Sequence, residues 1–394
     1  MDDKFLKEKY GLKEEVIEDF SRTTAERKDL KFWTNREDEL QEWTNILKKS
    51  MEIQKNFIAF IIGSYGRGKT LSLLKIIDEA EKNYSDSIFP VYLSFKGEEK
   101  PSKPGLDFIF RIFKAINFER LVEKKSNEDV VNAIKDIPES FDEPKRILKA
   151  IYRYRTQTLL QGTISKDKKV KIALYFLRGE VKVSTAQLKE LGIMRKIESI
   201  DVAKEYLAAI LCFMRNLGYK SLLLAIDELE YLFSLVSKTQ YSIYIALLRG
   251  LYDFPMGLDI ESDKLANMVF FIGVSEDGWS KLQEIEKKEI SEGGPTRALM
   301  RRIDVETTLL NFDRKNTEKL IKKVLSYNRI TGKFEKDPLI PFTKDFVDYI
   351  YEITEGLPSA IKVRCAQVLD AGLADKVPLL DRKYAQKVLE ERGF

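Results

Sequence analysis

A chain of 394 residues, 44% hydrophobic and 33% charged, is long enough for two or three domains and a sizeable buried core. A net charge of +4 permits nucleic acid as a partner without demanding it, and the absence of any histidine excludes imidazole bases, imidazole metal ligands and histidine-activated nucleophiles. With no run near the ~20 apolar residues of a membrane span, no apolar signal core in Met1–Glu8, and Cys212 and Cys365 placed like free core thiols, the expectation is a cytoplasmic protein without membrane contact.

Residues 1–30 read as a charged helical lead-in, with Leu6, Tyr10, Val16, Ile17 and Phe20 as packing residues. In the stretch from Phe32 to Trp43, Thr34 or Asn35 is expected to cap a helix with an acidic first turn. Leu40, Trp43 and Leu47 share one face of that helix, which serves either to flank an adenine or simply to pack. The apolar run Phe57–Ile62 then enters Gly63-Ser64-Tyr65-Gly66-Arg67-Gly68-Lys69-Thr70, and a helical pattern starts at Leu71. Strand, glycine-rich loop and helix in this order, with the spacing G-x-x-x-x-G-K-T, form a phosphate loop. Its glycines let successive N–H groups face phosphate oxygens, and the helix N-terminus adds further donors. Residues 63–71 are therefore expected to cradle ATP, with Lys69 on the β- and γ-phosphates and the Thr70 hydroxyl on Mg²⁺.

A second strand, Ile88–Phe95, carries Pro90 and so belongs at or near a sheet edge. After a loop marked by Pro101, Pro104 and Gly105, residues 106–220 read as helical, over 106–122, 127–136, 143–160, 168–178 and 200–217, punctuated by Gly162, Gly179 and Gly192. Ser184 or Thr185 is placed to cap a short helix. Lys169, Lys171, Arg178, Lys182 and Lys189 there suit either nucleic-acid contact or a solvated helical face. Ser221–Glu228 is a buried strand ending in two carboxylates, followed by helices over 229–236 and 240–252. Asn267–Ser275 is another buried strand, Trp279–Ile290 a charged helix and Val305–Leu310 a short fifth strand. Helices over 314–327, 343–354, 359–371 and 381–392 complete the chain.

Ligands of open α/β sheets bind beyond the carboxyl ends of the strands, so Asp227 and Glu228 are expected beside the phosphate loop. Asp227 would hold Mg²⁺, mostly through water, and Glu228 would polarise the attacking water, with Glu230 as a fallback base. Ser275 either senses the γ-phosphate or caps the next turn. Of Arg297, Arg301 and Arg302, one is expected to act as a finger at a subunit interface, Arg302 first.

Gly63–Thr70, Leu222–Glu228, Ser275, Arg301-Arg302 and the helical C-terminal region together resemble an AAA+ ATPase of the archaeal initiator-like and signal-transducing (STAND) branch. Phe32–Leu40 is similar to the helix that opens that branch's domain. The resemblance implies a parallel five-stranded sheet of order 5-1-4-3-2 with a helical insertion and a C-terminal helical lid. On that reading residues 31–105 and 218–310 form the nucleotide-binding core, 106–217 the insertion and 311–394 the lid. It assigns Lys69 and Thr70 to Walker A, Asp227 and Glu228 to Walker B, and Ser275 to sensor 1. Ala173–Glu180, Leu191–Ile193, Ile197 and Gly218–Glu228 more narrowly resemble the ATP-binding proteins of BREX-type phage-defence systems. That implies ATP and Mg²⁺ as cofactors, a homo-oligomer, and DNA met directly or through a helicase partner. The branch's lid helix usually opens with Gly-x-Pro-Arg, whereas here Glu355-Gly356-Leu357-Pro358 leads to Ser359. Lys362, three residues on, is the expected substitute for that arginine. The alternatives are a nucleotide-gated switch with little turnover and a replication-initiator-like DNA-binding ATPase.

Overall fold

A computed structural model describes residues 3–95, 103–153, 168–180, 183–230, 238–289, 293–334 and 337–391. The five strands are β1 (Phe57–Ile62), β2 (Ile88–Ser94), β3 (Ser221–Asp227), β4 (Asn267–Val274) and β5 (Val305–Thr308). They form one parallel sheet in the order β2-β3-β4-β1-β5, which is the expected α/β arrangement. Every residue of β1, β3 and β4 is buried. Such unbroken apolar runs suit parallel strands covered on both faces. β2 lies at the edge, so the N–H that Pro90 lacks is not needed on its open side.

The described residues fall into two compact units. The first comprises Met1–Gln41, Ile62–Lys75 and Thr308–Phe394. The stretch expected as a lead-in is part of its core. Leu6, Tyr10, Val16 and Phe20 are fully buried in one cluster with Ile321, Phe346, Cys365 and Leu369 of the C-terminal helices. Those helices span Arg314–Tyr327, Lys344–Thr354, Pro358–Ala374 and Arg382–Glu391. Asp313 and Thr343 cap the first two by accepting the N–H groups of Asn316 and Phe346. Before strand β1 a helix runs over Glu37–Glu52. It starts after Arg36, so neither Thr34 nor Asn35 holds the position expected for its cap; Asn35 is instead a left-handed residue with φ of 61°.

The second unit comprises Glu42–Ile61 and Ile76–Thr307 and contains most of the sheet and the whole insertion. The helix expected over 106–122 is two helices, Pro104–Ala115 and Phe118–Leu121. Asn117 divides them because its side chain accepts the N–H groups of Glu119 and Arg120, a cap that competes with helix continuation. Helices over Asn127–Lys135, Asp142–Ile151, Lys168–Leu177, Thr185–Glu190 and Ile200–Asn216 follow. Ser184 caps the fourth of these in a capping box with Gln187. The rest of the helix expected to reach residue 160, Gly162, Lys182 and most of the helix expected over 229–236 lie outside the described residues. Beyond β3 come helices Lys238–Tyr252, Glu276–Lys288 and Pro295–Met300.

One buried side chain joins several of these elements. Asn56 donates through Nδ2 to the carbonyls of Leu251, Tyr252 and Phe254 at 3.3, 2.9 and 3.1 Å and accepts the Met268 N–H at 2.7 Å. Asn56→Ala would leave those buried groups without it, at about 2–4 kcal/mol. Differential scanning should register a melting point lower by about 5 °C or more; an unchanged melting point would contradict this bonding.

Candidate functional site

Parallel strands put their carboxyl ends on one edge of the sheet, and from that edge the chain leaves β1 into Gly63, β3 into Glu228 and β4 into Ser275. Lys69 opens the helix that runs to Asn83. Its ammonium bends back and donates to the carbonyls of Gly63 at 2.8 Å and Ser64 at 3.5 Å. Gly66 and Gly68 have φ of +86° and +96°, a region side-chain-bearing residues rarely enter. Nothing lies within 4 Å of a Cβ built at Gly68, so backbone conformation alone calls for glycine there.

The loop is stitched to the C-terminal helices of its own unit. Arg67 donates from Nε to Asn311 Oδ1 at 2.9 Å and from Nη1 to the Leu309 carbonyl at 3.3 Å. Asn311 in turn donates to the Glu355 carbonyl at 3.0 Å. Ser359, which stands where the branch usually has arginine, donates its N–H to the Gly66 carbonyl at 3.2 Å. Lys362 does not take over as a solvent-facing cation. Its ammonium donates to the Arg22 carbonyl at 3.3 Å and lies 5.7 Å from the centre of the Phe32 ring, and burial pulls its pKa down. Tyr65, at the tip of the loop, is 71% exposed, and Ser64, Thr70 and Leu71 are half-buried.

Asp227 ends β3 at 2% exposure. Its Oδ1 accepts the Glu228 N–H at 3.0 Å and its Oδ2 accepts the Tyr92 hydroxyl at 2.8 Å. Burial, and then the Asp227 carboxylate, raises the Tyr92 pKa, so the phenol keeps its proton and donates. Tyr92 was not anticipated from sequence. Its register partner on β3 is Ala225, which puts it on the face of the sheet that carries Asp227, one diagonal step away. Glu228 sits at φ +57°, a left-handed conformation costly for a residue with a side chain and of the kind that gathers at functional sites. Its Oε2 is shut off from solvent.

Ser275 caps helix Glu276–Lys288 by accepting the Gly278 N–H at 3.1 Å, and its own N–H donates to Glu230 Oε1 at 3.1 Å. Glu230, the fallback base, thus ties the segment after β3 to the end of β4. Arg302, the first choice for a finger, is committed within its own chain. It forks onto Asp253 through Nε and Nη2 at 2.8 and 2.7 Å and donates from Nη1 to the Ala298 carbonyl at 2.6 Å. Arg301 is exposed and lines an open cavity of about 710 Å³ together with Arg297 and Arg249, the last not anticipated from sequence.

The donors at hand suit magnesium: a carboxylate and a hydroxyl are hard oxygen ligands. Among the described residues no group of three or more Asp, Glu or Cys side chains would hold a metal alone. A magnesium ion on Asp227 would therefore need further oxygens from outside such a cluster, as from phosphate and water.

Residues 114–276 match the family model described as BREX system ATP-binding protein BrxC/D, in keeping with the resemblance drawn from sequence. No curated protein matches the chain. Solved structures similar to it include a chain of Drosophila ORC bound to DNA, at 12% identity and a TM-score of 0.49, covering 96% of this chain and 65% of that one. Cdc6p from Pyrobaculum aerophilum is similar at 12% identity and a TM-score of 0.46, covering 96% and 71%. This chain thus spans a little under two thirds of the ORC chain's length. Likenesses this slight have no bearing on function.

A Cβ at Gly66 would fall 2.0 Å from Ser359 Oγ. Gly66→Ala should therefore destabilise the protein by about 2–4 kcal/mol, and by about 1 kcal/mol less in a Ser359→Gly background, the remainder being backbone strain. A double-mutant cycle in urea checks this; equal losses in both backgrounds would show that the loop and the helix Pro358–Ala374 do not meet there.

Proposed function

With the BrxC/D ATP-binding family match over residues 114–276 as the premise, we propose that this chain is an AAA+ ATPase that hydrolyses MgATP between subunits and drives or gates a partner acting on DNA. The observation that carries the proposal is the pairing of two features at the sheet's carboxyl edge. β1 runs into a loop whose lysine donates to the loop's own carbonyls, and β3 ends in a buried carboxylate followed by a strained glutamate. On this reading Lys69 exchanges the Gly63 carbonyl for phosphate oxygens, and loop N–H groups of residues 63–71 receive the rest of the triphosphate. Thr70 and Asp227 hold the metal, with Tyr92 fixing the Asp227 carboxylate. Magnesium, when bound, supplies charge neutralisation across the phosphates. Glu228 takes a proton from the attacking water. Ser275 keeps its hydroxyl hydrogen for the water or the γ-phosphate while its oxygen caps a helix. With Arg302 tied to Asp253, the finger falls to Arg301, with Arg297 beside it.

A second reading, a nucleotide-gated switch with little turnover, is favoured by one observation. The lid helix meets the loop through the Ser359 N–H rather than through an arginine, and Lys362 is engaged by Arg22 and Phe32. Steady-state ATPase measurements with and without DNA separate the two. We expect turnover that rises with DNA, falls by about 10²-fold or more in Glu228→Gln with ATP still bound, and falls at least about tenfold in Arg301→Ala. Arg302→Ala should lower the melting point instead. Undiminished turnover in Glu228→Gln would remove it as the base, and tightly held nucleotide without turnover in the wild type would favour the switch.

A further inference from the structure

The insertion holds a cationic cavity apart from the nucleotide chemistry. It measures about 420 Å³ and lies between the junction of helices Pro104–Ala115 and Phe118–Leu121 and the helix Lys168–Leu177. Lys171, Leu174, Tyr175 and Arg178 line it from one side; their spacing of three, four and seven residues places them on a single helical face. Lys114, Asn117 and Glu119 line the other side.

Three cations therefore face one carboxylate. No side-chain hydrogen bond or ion pair of Lys114, Lys171 or Arg178 is formed among the described residues. Arg178 is the most telling, since its Nε is shut off from solvent yet has no acceptor. A buried guanidinium donor left unmet costs free energy unless a ligand meets it. Gly179 fixes the turn after Arg178: its φ is +70°, and a Cβ there would fall 2.5 Å from the Phe110 ring. Beside the cations, Tyr175 leaves 38% of its surface in solvent on a helix whose neighbours Val170, Ile172, Ala173 and Phe176 are buried. Unpaired cations around an opening wide enough for a nucleotide, with an exposed ring at its side, match a phosphate with an unstacked base attached.

We propose that this cavity binds a nucleotide unit of single-stranded DNA, the phosphodiester held by Lys114, Lys171 and Arg178 and a base stacked on Tyr175. The same chemistry would admit a free mononucleotide, and the test separates the two sources. The proposal takes its choice of ligand from the DNA-acting partner inferred above, but the two fail separately, because strand binding here needs neither ATP nor Glu228.

The experiment is fluorescence anisotropy of a labelled oligo-dT strand with the full chain, without nucleotide, over a range of salt. Lys114→Ala/Lys171→Ala should weaken binding about tenfold or more and make the salt dependence shallower by about one unit of log–log slope. Tyr175→Leu should weaken it about fivefold or more with that slope unchanged. Arg178→Lys, which keeps the charge and spares the buried stem, should weaken it through loss of the guanidinium fork. Lys383→Glu/Lys387→Glu, a change of exposed charge on the last helix, should have little effect. Competition by dTMP at concentrations that leave double-stranded DNA without effect would give the same cavity a free nucleotide as its ligand and overturn the strand. Affinity that falls no further in the cavity variants than in Lys383→Glu/Lys387→Glu, or no binding of the strand by the wild-type chain, would overturn the site.

Discussion

A carboxylate buried to 2% exposure at the end of a strand with no exposed residue is the constraint on which the rest of this structure depends. Water is no longer there to solvate Asp227, so the protein must supply donors or a cation. Its donors include the Tyr92 hydroxyl from the neighbouring edge strand and the Glu228 N–H. Both act within the unit that holds the sheet, so the carboxylate is oriented before any ligand arrives. Glu228, which supplies the second donor, also has a left-handed backbone. The residue that helps to orient the acid is thus also the one with the strained backbone.

The phosphate loop solves the complementary problem. Its lysine is a charge in need of acceptors, and the carbonyls of Gly63 and Ser64 provide them. A phosphate oxygen is a stronger acceptor than a carbonyl, so the lysine's bond strengthens when one replaces the other. The loop is also fastened to the C-terminal helices of its unit through Arg67, Asn311 and the Ser359 N–H. A change in loop conformation is therefore felt at the start of the helix Pro358–Ala374 through the Ser359 N–H rather than through an arginine.

Much of this was legible in the chain. The unbroken apolar runs of β1, β3 and β4 announced buried parallel strands, and Pro90 announced the edge. Gly63–Thr70 and Asp227-Glu228 declared themselves by spacing and by position at strand ends. Less legible was whatever depends on side chains meeting across distant segments. Tyr92 reads as an ordinary strand residue until the β2–β3 register puts it diagonal to Asp227. Arg302 reads as an available guanidinium until Asp253, 49 residues earlier, takes two of its three nitrogens. Lys362 carries no sign that Arg22 and Phe32 receive it. In the lead-in the apolar residues could be marked for packing, but not what they pack against: Leu6, Tyr10, Val16 and Phe20 are buried in one cluster with the C-terminal helices. Asn117 divided a helix whose hydrophobic period runs through it, since a capping side chain outweighs periodicity locally.

On the function proposed above, the phosphate loop and Asp227 would serve a single MgATP. Titration calorimetry of ATP with and without magnesium, on the wild type, Lys69→Ala and Asp227→Asn, addresses it most directly. The account predicts that Lys69→Ala loses ATP binding under both conditions, whereas Asp227→Asn retains metal-free binding and loses the gain that magnesium confers. An undiminished magnesium effect in Asp227→Asn would mean that this carboxylate serves some other purpose and that the two segments do not share a ligand.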